Sequence, residues 1–312
     1  MPPPLRPCGL FGLSGTVALL FGCAVNHEQA ESLSSASAVS VALVAETDAW
    51  HARRIERLKA PDGWLSLVGL EPLGPGLNRV GRASDSEIRY DGFPRDQIGT
   101  FIVEGDRVRF VSASGVEIEG LPPGGEIRSD ANGDPTVLSI GEIRFHVIVR
   151  GGRPWVRIKD AAAPTLVNFK GLDRFPVNEE WRIVATFVPA ARGQFIGMDT
   201  VIGVREEGAI AGRARFEHRG VNVDAVLLEA GDGGSLLRFG DTTNGKETYV
   251  IGRYLYVEPS ADGKTVVLDF NRAYNPPCAL TAFATCTIPP DSNEFPFDVD
   301  AGERWRNERG TP

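Results

Sequence analysis

The last third of the chain concentrates side chains capable of acid–base and binding chemistry: Asp241, Glu247, Tyr249, Arg253, Asp269, Asn271, Arg272, Tyr274, Asn275, Asn293 and Glu303. Carboxylates placed close together divide into acid and base when their environments separate their pKa values. Asp241, Glu247, Asp269 and Glu303 are therefore the candidate catalytic groups. Arg253, Tyr249, Tyr274, Asn271 and Asn275 are the candidates for holding a substrate. Asp269-Phe270-Asn271 follows an apolar run at 265–268, and Pro276-Pro277 stiffens what comes next. A polar loop beside a β-scaffold is a common place for a site. The expectation is that Asp269, Asn271, Tyr274 and Arg253 line one cleft, joined by Glu247. The same residue types also cap turns and satisfy the backbone of irregular coil, and Asp269 with Arg253 would make a structural ion pair. Spacing alone leaves both readings open.

Other motifs carry less. Gly240-Asp-Thr-Thr-Asn-Gly245-Lys246-Glu247 nearly matches the phosphate loop, but Glu247 replaces the hydroxyl that holds magnesium, and no helical pattern follows. Asn244-Gly245 instead reads as a hairpin turn before a strand at 247–258. The four histidines, His27, His51, His146 and His218, show no metal-ligand spacing, and no G-x-S-x-G elbow occurs. Cofactor and metal stay open, and Asp241, Glu247, Asp269 and Glu303 are candidates for metal ligands as well as for acid–base groups. Cys278 and Cys286 stand eight positions apart without a second close pair, so a disulfide fits better than a metal site. Closing a loop of about nine residues would remove roughly 2.6 kcal/mol of unfolded-chain entropy. The alternative is two buried free thiols.

These residues need a scaffold. Apolar positions recur at helical spacing over 41–59, with Trp50 as an anchor and Arg53, Arg54 and Arg57 near the end, where cations suit the helix dipole. Pro61-Asp62-Gly63 stops this helix, assigned to 41–61. Short alternating runs punctuated by glycine and proline then follow, among them 99–104, 107–112, 143–149, 155–159, 181–188, 221–228, 236–239 and 265–270. Their spacing suggests an all-β fold rather than βαβ units. The reading is two packed β-rich domains, a sandwich at 62–164 and a second at 165–305, behind one helix.

The N-terminus speaks to location. An apolar run at 9–22 is too short for the roughly 20 residues of a membrane span and fits a secretion signal at 1–22. Leu20-Phe21-Gly22-Cys23 resembles the bacterial lipobox, which implies lipidation of Cys23. With Ala24 after it, the resemblance implies the periplasmic face of the outer membrane. Residues 23–40, rich in Ser and Ala, read as a tether. The formal net charge of −8 argues against a general nucleic-acid binder.

Three blocks resemble one bacterial family, a domain of unknown function with serial number 1684: PDGWLSLVGLEPLGPGLNRVG at 61–81, FGDTTNGKETYVIGRYL at 239–255, and DFNRAYNPPCALTAFATCTIPPDSNEFPFDVDAGE at 269–303. The resemblance implies bacterial origin and brings no reaction. Residues 76–160, beginning GLNRVGRASDSEI, more weakly resemble forkhead-associated domains. The SxxH of their phosphothreonine site does not follow, so that resemblance implies a β-sandwich without phosphopeptide reading. Two functions remain: an envelope hydrolase using the C-terminal carboxylates, or a non-catalytic lipoprotein that binds a small molecule, glycan or partner.

Overall fold

The computed structural model describes residues 27–231 and 233–305. The expected signal segment and Cys23 lie outside these residues. Helix α1 runs His27–Leu58. Much of the segment read as a tether is thus helical, because it holds Ala, Glu, Gln and Leu with no Gly or Pro, and serine costs only a few tenths of a kcal/mol per residue in a helix. From Ala42 onward the chain forms one compact unit. There Leu43, Thr47, Arg54 and Leu58 are buried, and Trp50 is half-buried, along one stripe of α1. The helix ends where expected. At Gly63 a Cβ would lie 2.6 Å from the Arg57 carbonyl oxygen, so only glycine lets the chain turn back so tightly.

The remainder is mainly β. Nine strands build the first half: β1 Leu67–Pro72, β2 Gly76–Gly81, β3 Ile88–Arg89, β4 Gly99–Glu104, β5 Arg107–Ser112, β6 Glu126–Ile127, β7 Leu138–Ile140, β8 Ile143–Arg150 and β9 Arg153–Asp160. They form two sheets, ordered β1-β9-β8-β7 and β3-β2-β4-β5-β6. Phe93, Phe101, Phe110 and Phe145 meet edge to face in the core of this half. Strand alternation puts Val156 and Ile158 of β9 into that core. Arg157 and Lys159 therefore point from the opposite face.

The second half contributes β10 Arg182–Pro189, β11 Phe195–Asp199, β12 Arg205–His218, β13 Val221–Glu229, β14 Ser235–Phe239, β15 Arg253–Val257 and β16 Thr265–Asp269. The sheet order is β15-β14-β13-β12-β10-β16, with β11 on β12. Its core holds Trp181, Leu237, Phe239, Leu255, Leu268, Phe270, Phe295 and Val299. Leu236, Arg238, Tyr254 and Tyr256 alternate out of that core, with Leu236 opposite Tyr256 and Arg238 opposite Tyr254. The strand expected at 247–258 begins only at Arg253. Asn244-Gly245 does turn the chain, with Gly245 at φ +76°, but within a long connection whose own side chains hold it. Asn244 Oδ1 accepts the Asp241 amide at 2.6 Å, and Asp241 Oδ1 accepts the Thr243 amide at 2.9 Å. After β16 the described residues form only short helical turns and isolated bridges, including α2 at Pro277–Leu280.

Candidate functional site

The carboxylates singled out in the sequence do not converge on a cleft. Asp241 and Arg253 are both fully buried and bonded at 2.8 Å. Asp241 Oδ1 also accepts the Thr243 hydroxyl. The Arg253 guanidinium donates to the carbonyls of Val299, at 2.8 Å, and Ala301. Burial works to lower the Arg253 pKa while Asp241 works to raise it. Glu303, 1% exposed, accepts both Nε and Nη2 of Arg54 and the Asn275 amide at 2.8 Å. Asp269 does not pair with Arg253. Its Oδ1 accepts Asn271 Nδ2 at 2.9 Å, and its Oδ2 lies 3.4 Å from Arg272 Nε. Asn271 in turn clamps both backbone groups of Asn178. Glu247 is exposed and held by Arg304 at 2.8 Å. Tyr249 donates to the Cys278 carbonyl at 3.1 Å and meets the Trp305 ring.

The Arg253 bonds have a local cause. Residues 293–303 run beside the second core with only scattered backbone hydrogen bonds, so the Val299 and Ala301 carbonyls take the Arg253 guanidinium instead. The Asn293 side chain ties the segment to the backbone of Val226 and Arg238.

The thiols follow the second alternative. Cys278 and Cys286 are free, which corrects the expected disulfide. The Cys278 amide donates to Cys286 Sγ at 3.1 Å, so hydrogen bonding holds the loop that a covalent clip was expected to hold. Hydrogen bonding to Cys278 lowers the Cys286 thiol, aided by Tyr254 and Arg238; the Cys278 thiol is pushed up by Cys286 and by burial.

A cleft does exist, where the outward faces of the two halves oppose each other. It has a volume of about 490 Å³. Helix α1 contributes Trp50, Arg54, Arg57 and Leu58; the turn after it, Asp62 and Trp64; β9, Arg157 and Lys159; β14 and β15, Leu236, Tyr254 and Tyr256; and the loop after β16, Tyr274, Asn275, Pro277 and Leu280. Of the residues expected to line a site, only Tyr274 and Asn275 do so. Asp269, Asn271, Arg253 and Glu247 do not, because each is committed to holding backbone or a neighbouring charge.

Charge in this cleft is unbalanced. Arg54, Arg57, Arg157 and Lys159 face one acid, Asp62. Arg54 is neutralised by Glu303 and lies 4.5 Å over the Tyr274 ring. Lys159 donates to the Asp62 backbone carbonyl, and its pKa is lowered by burial.

Arg157 differs from all of these. It is 8% exposed, and among the described residues its guanidinium makes no hydrogen bond or ion pair. Its one close partner is the Trp64 ring, 5.2 Å from the guanidinium carbon, and its Nε is buried without an acceptor. The acid nearest in effect, Asp130, is bonded to Arg150 and the Val149 amide, each at 2.8 Å. Burial, reinforced by Arg150, brings the Arg157 pKa down to about 10, so it stays charged at neutral pH. His146, opposite Arg157 in the β8–β9 register, is driven to about 4 by burial and by Arg157, and stays neutral.

The five ring systems lining the cleft are partly packed on each other. Tyr256 and Tyr274 stack at 5.7 Å and 16°, and Trp50 meets Tyr274 at 6.2 Å. Tyr256 is still 55% exposed and Trp64 38%. Burial and Tyr256 push the Tyr274 hydroxyl far up, so it is a neutral wall group. Arg157 and Trp64 were not singled out from the sequence. Alternation in Trp155–Lys159 was the available signal, but an arginine on the outer face of a strand ordinarily faces water.

Comparisons with known proteins agree with the resemblance of the second and third blocks. Residues 167–304 match the model of a family described as "Protein of unknown function (DUF1684)". No curated protein matches. The solution NMR structure of an uncharacterized protein from Haloarcula marismortui is similar at 29% identity, over 46% of this chain and 80% of that one, with a TM-score of 0.39.

Proposed function

We propose that this chain, which carries a domain of that family, is a binding protein of the bacterial cell envelope whose cleft takes a small organic anion. Unpaired Arg157 carries the reading. A buried charge without a partner is costly, and natural sequences place such violations mostly at functional sites. The cleft volume falls within the roughly 300–1,000 Å³ of small-molecule sites. Binding draws more support than hydrolysis, because Asp241, Asp269, Glu303 and Glu247 each already hold a partner. A general acid or base would need to reach a substrate.

The envelope location rests on the apolar run before Cys23 and on Leu20-Phe21-Gly22-Cys23. Exchanging Cys23 for Ala should move the protein from the membrane fraction to the soluble one; unchanged fractionation removes that part of the proposal. Ligand binding is tested by a thermal-shift panel of organic carboxylates and phosphates at low salt, on wild type and Arg157→Met. At least one anion should raise the wild-type melting temperature and fail to raise that of the variant. A panel in which no anion distinguishes the two proteins overturns the reading.

A further inference from the structure

We infer that the cleft is built for an aromatic carboxylate, its carboxylate on Arg157 and its ring against Tyr256 and Trp64. The inference rests on the proposed anion site and concerns the rest of the ligand. Two observations carry it.

The first is how little neutral hydrogen bonding the cleft still offers. Among its lining side chains, Asn275 Nδ2 is spent on the Arg304 carbonyl at 3.0 Å, and its Oδ1 is buried without a partner, an acceptor closed off from a ligand in the cleft. The Tyr254 hydroxyl is spent on the Thr287 carbonyl at 2.8 Å, and Tyr274 shares its hydroxyl with Tyr256. A sugar acid brings several hydroxyls, and each one desolvated without a partner costs about 1–3 kcal/mol. The body of the ligand must therefore be poor in hydroxyls.

The second is the kind of apolar surface left open. Tyr274 covers one face of Tyr256. With 55% of that residue exposed, the other face is available, and Trp64 offers a second exposed ring with Arg157 stacked over it. Aromatic groups gain about 0.5–1.5 kcal/mol from ring-on-ring geometry beyond their buried area. An aliphatic chain gains only the area. A guanidinium takes a carboxylate through two parallel hydrogen bonds, and Arg157 has no competing acceptor. Arg57 and Lys159 add long-range attraction for the same charge.

The test measures the affinity of the purified protein for three probes by calorimetry: 2-naphthoate, D-glucuronate and octanoate. Naphthoate should bind at least about tenfold tighter than either of the others, the ratio that 1.4 kcal/mol represents. Arg157→Met should weaken naphthoate about 30-fold or more. Tyr256→Leu, checked for native circular dichroism, should weaken naphthoate several-fold and leave octanoate unchanged. If glucuronate or octanoate binds as tightly as naphthoate and still depends on Arg157, the aromatic assignment is overturned and the anion site stands. Should no probe respond to Arg157→Met, both fail.

Discussion

Two buried arginines on outward-facing or edge positions of strands have opposite surroundings. Arg253, at the start of β15, is 0% exposed and bonded to a carboxylate and to carbonyls of the C-terminal segment. Arg157, on β9, is 8% exposed and its guanidinium is bonded to nothing among the described residues. The first behaves as a surrogate for a missing strand, donating where a ladder would have donated. The second is held desolvated by the fold with its donors free. Both have a buried Nε without an acceptor, so the difference lies in the carboxylate and carbonyls that Arg253 holds and Arg157 lacks.

The largest expected effect comes from breaking the arginine that is paired with a carboxylate. Arg253→Met leaves Asp241 buried without its cation and strips the Val299 and Ala301 carbonyls. It should cost about 3–5 kcal/mol in urea unfolding. A loss below 1 kcal/mol would remove the contrast between the two arginines.

Next comes a pH effect of the unpaired one. His146 titrates near 4 in the folded protein, against 6.5 for an unperturbed histidine, owing to burial and then Arg157 and Lys159, with Asp130 opposing and Arg150 adding slightly. Between these values the unfolded chain binds the proton and the folded one does not, so stability falls as pH drops from about 6.5 to 4, by up to about 3 kcal/mol. In Arg157→Met the His146 resonance should titrate at a higher pH in NMR. An unmoved titration would place Arg157 outside its electrostatic reach.

Arg157→Met itself should stabilise the protein by about 1–3 kcal/mol, because a desolvated charge is exchanged for an apolar side chain of similar length. A destabilised variant would mean that the guanidinium has a structural role after all. The smallest effect belongs to Asp269→Asn. Its amide oxygen can still accept Asn271 Nδ2, and only the 3.4 Å pairing with partly exposed Arg272 is lost. A cost of about 1 kcal/mol or less is expected, with unchanged ligand affinity. Loss of binding here would return Asp269 to the candidate site.

Much of the scaffold was legible because β-alternation is local. Runs such as Thr100–Val103 and Val108–Val111 announce a half-buried strand with no knowledge of the partner. The helix end at Pro61-Asp62-Gly63 was legible for the same reason, while its start at His27 was not, since Ser and Ala serve tether and helix alike. The cleft was poorly legible. Tyr274 and Asn275 were found because they sit in a conspicuously polar loop. Trp64, Arg157 and Tyr256 lie on three elements that only tertiary packing brings together. Asp241 and Glu303 looked like chemistry because carboxylates that bind backbone and carboxylates that move protons are the same residues; burial and partner count separate them.

The clasp between Arg54 and Glu303 spans 249 positions of sequence. In synthesis Arg54 is made well before Glu303. Closing so long a loop carries an entropic cost that local strand pairing does not, and contacts of this separation form late in folding. A nascent chain halted before residue 303 can already possess every strand of both halves. It still lacks the carboxylate that docks Arg54, the residue that carries one wall of the cleft. The cleft wall is therefore set by a tertiary clasp and not by strand pairing, so a chain that stops before residue 303 can be β-rich and still fail to hold that wall.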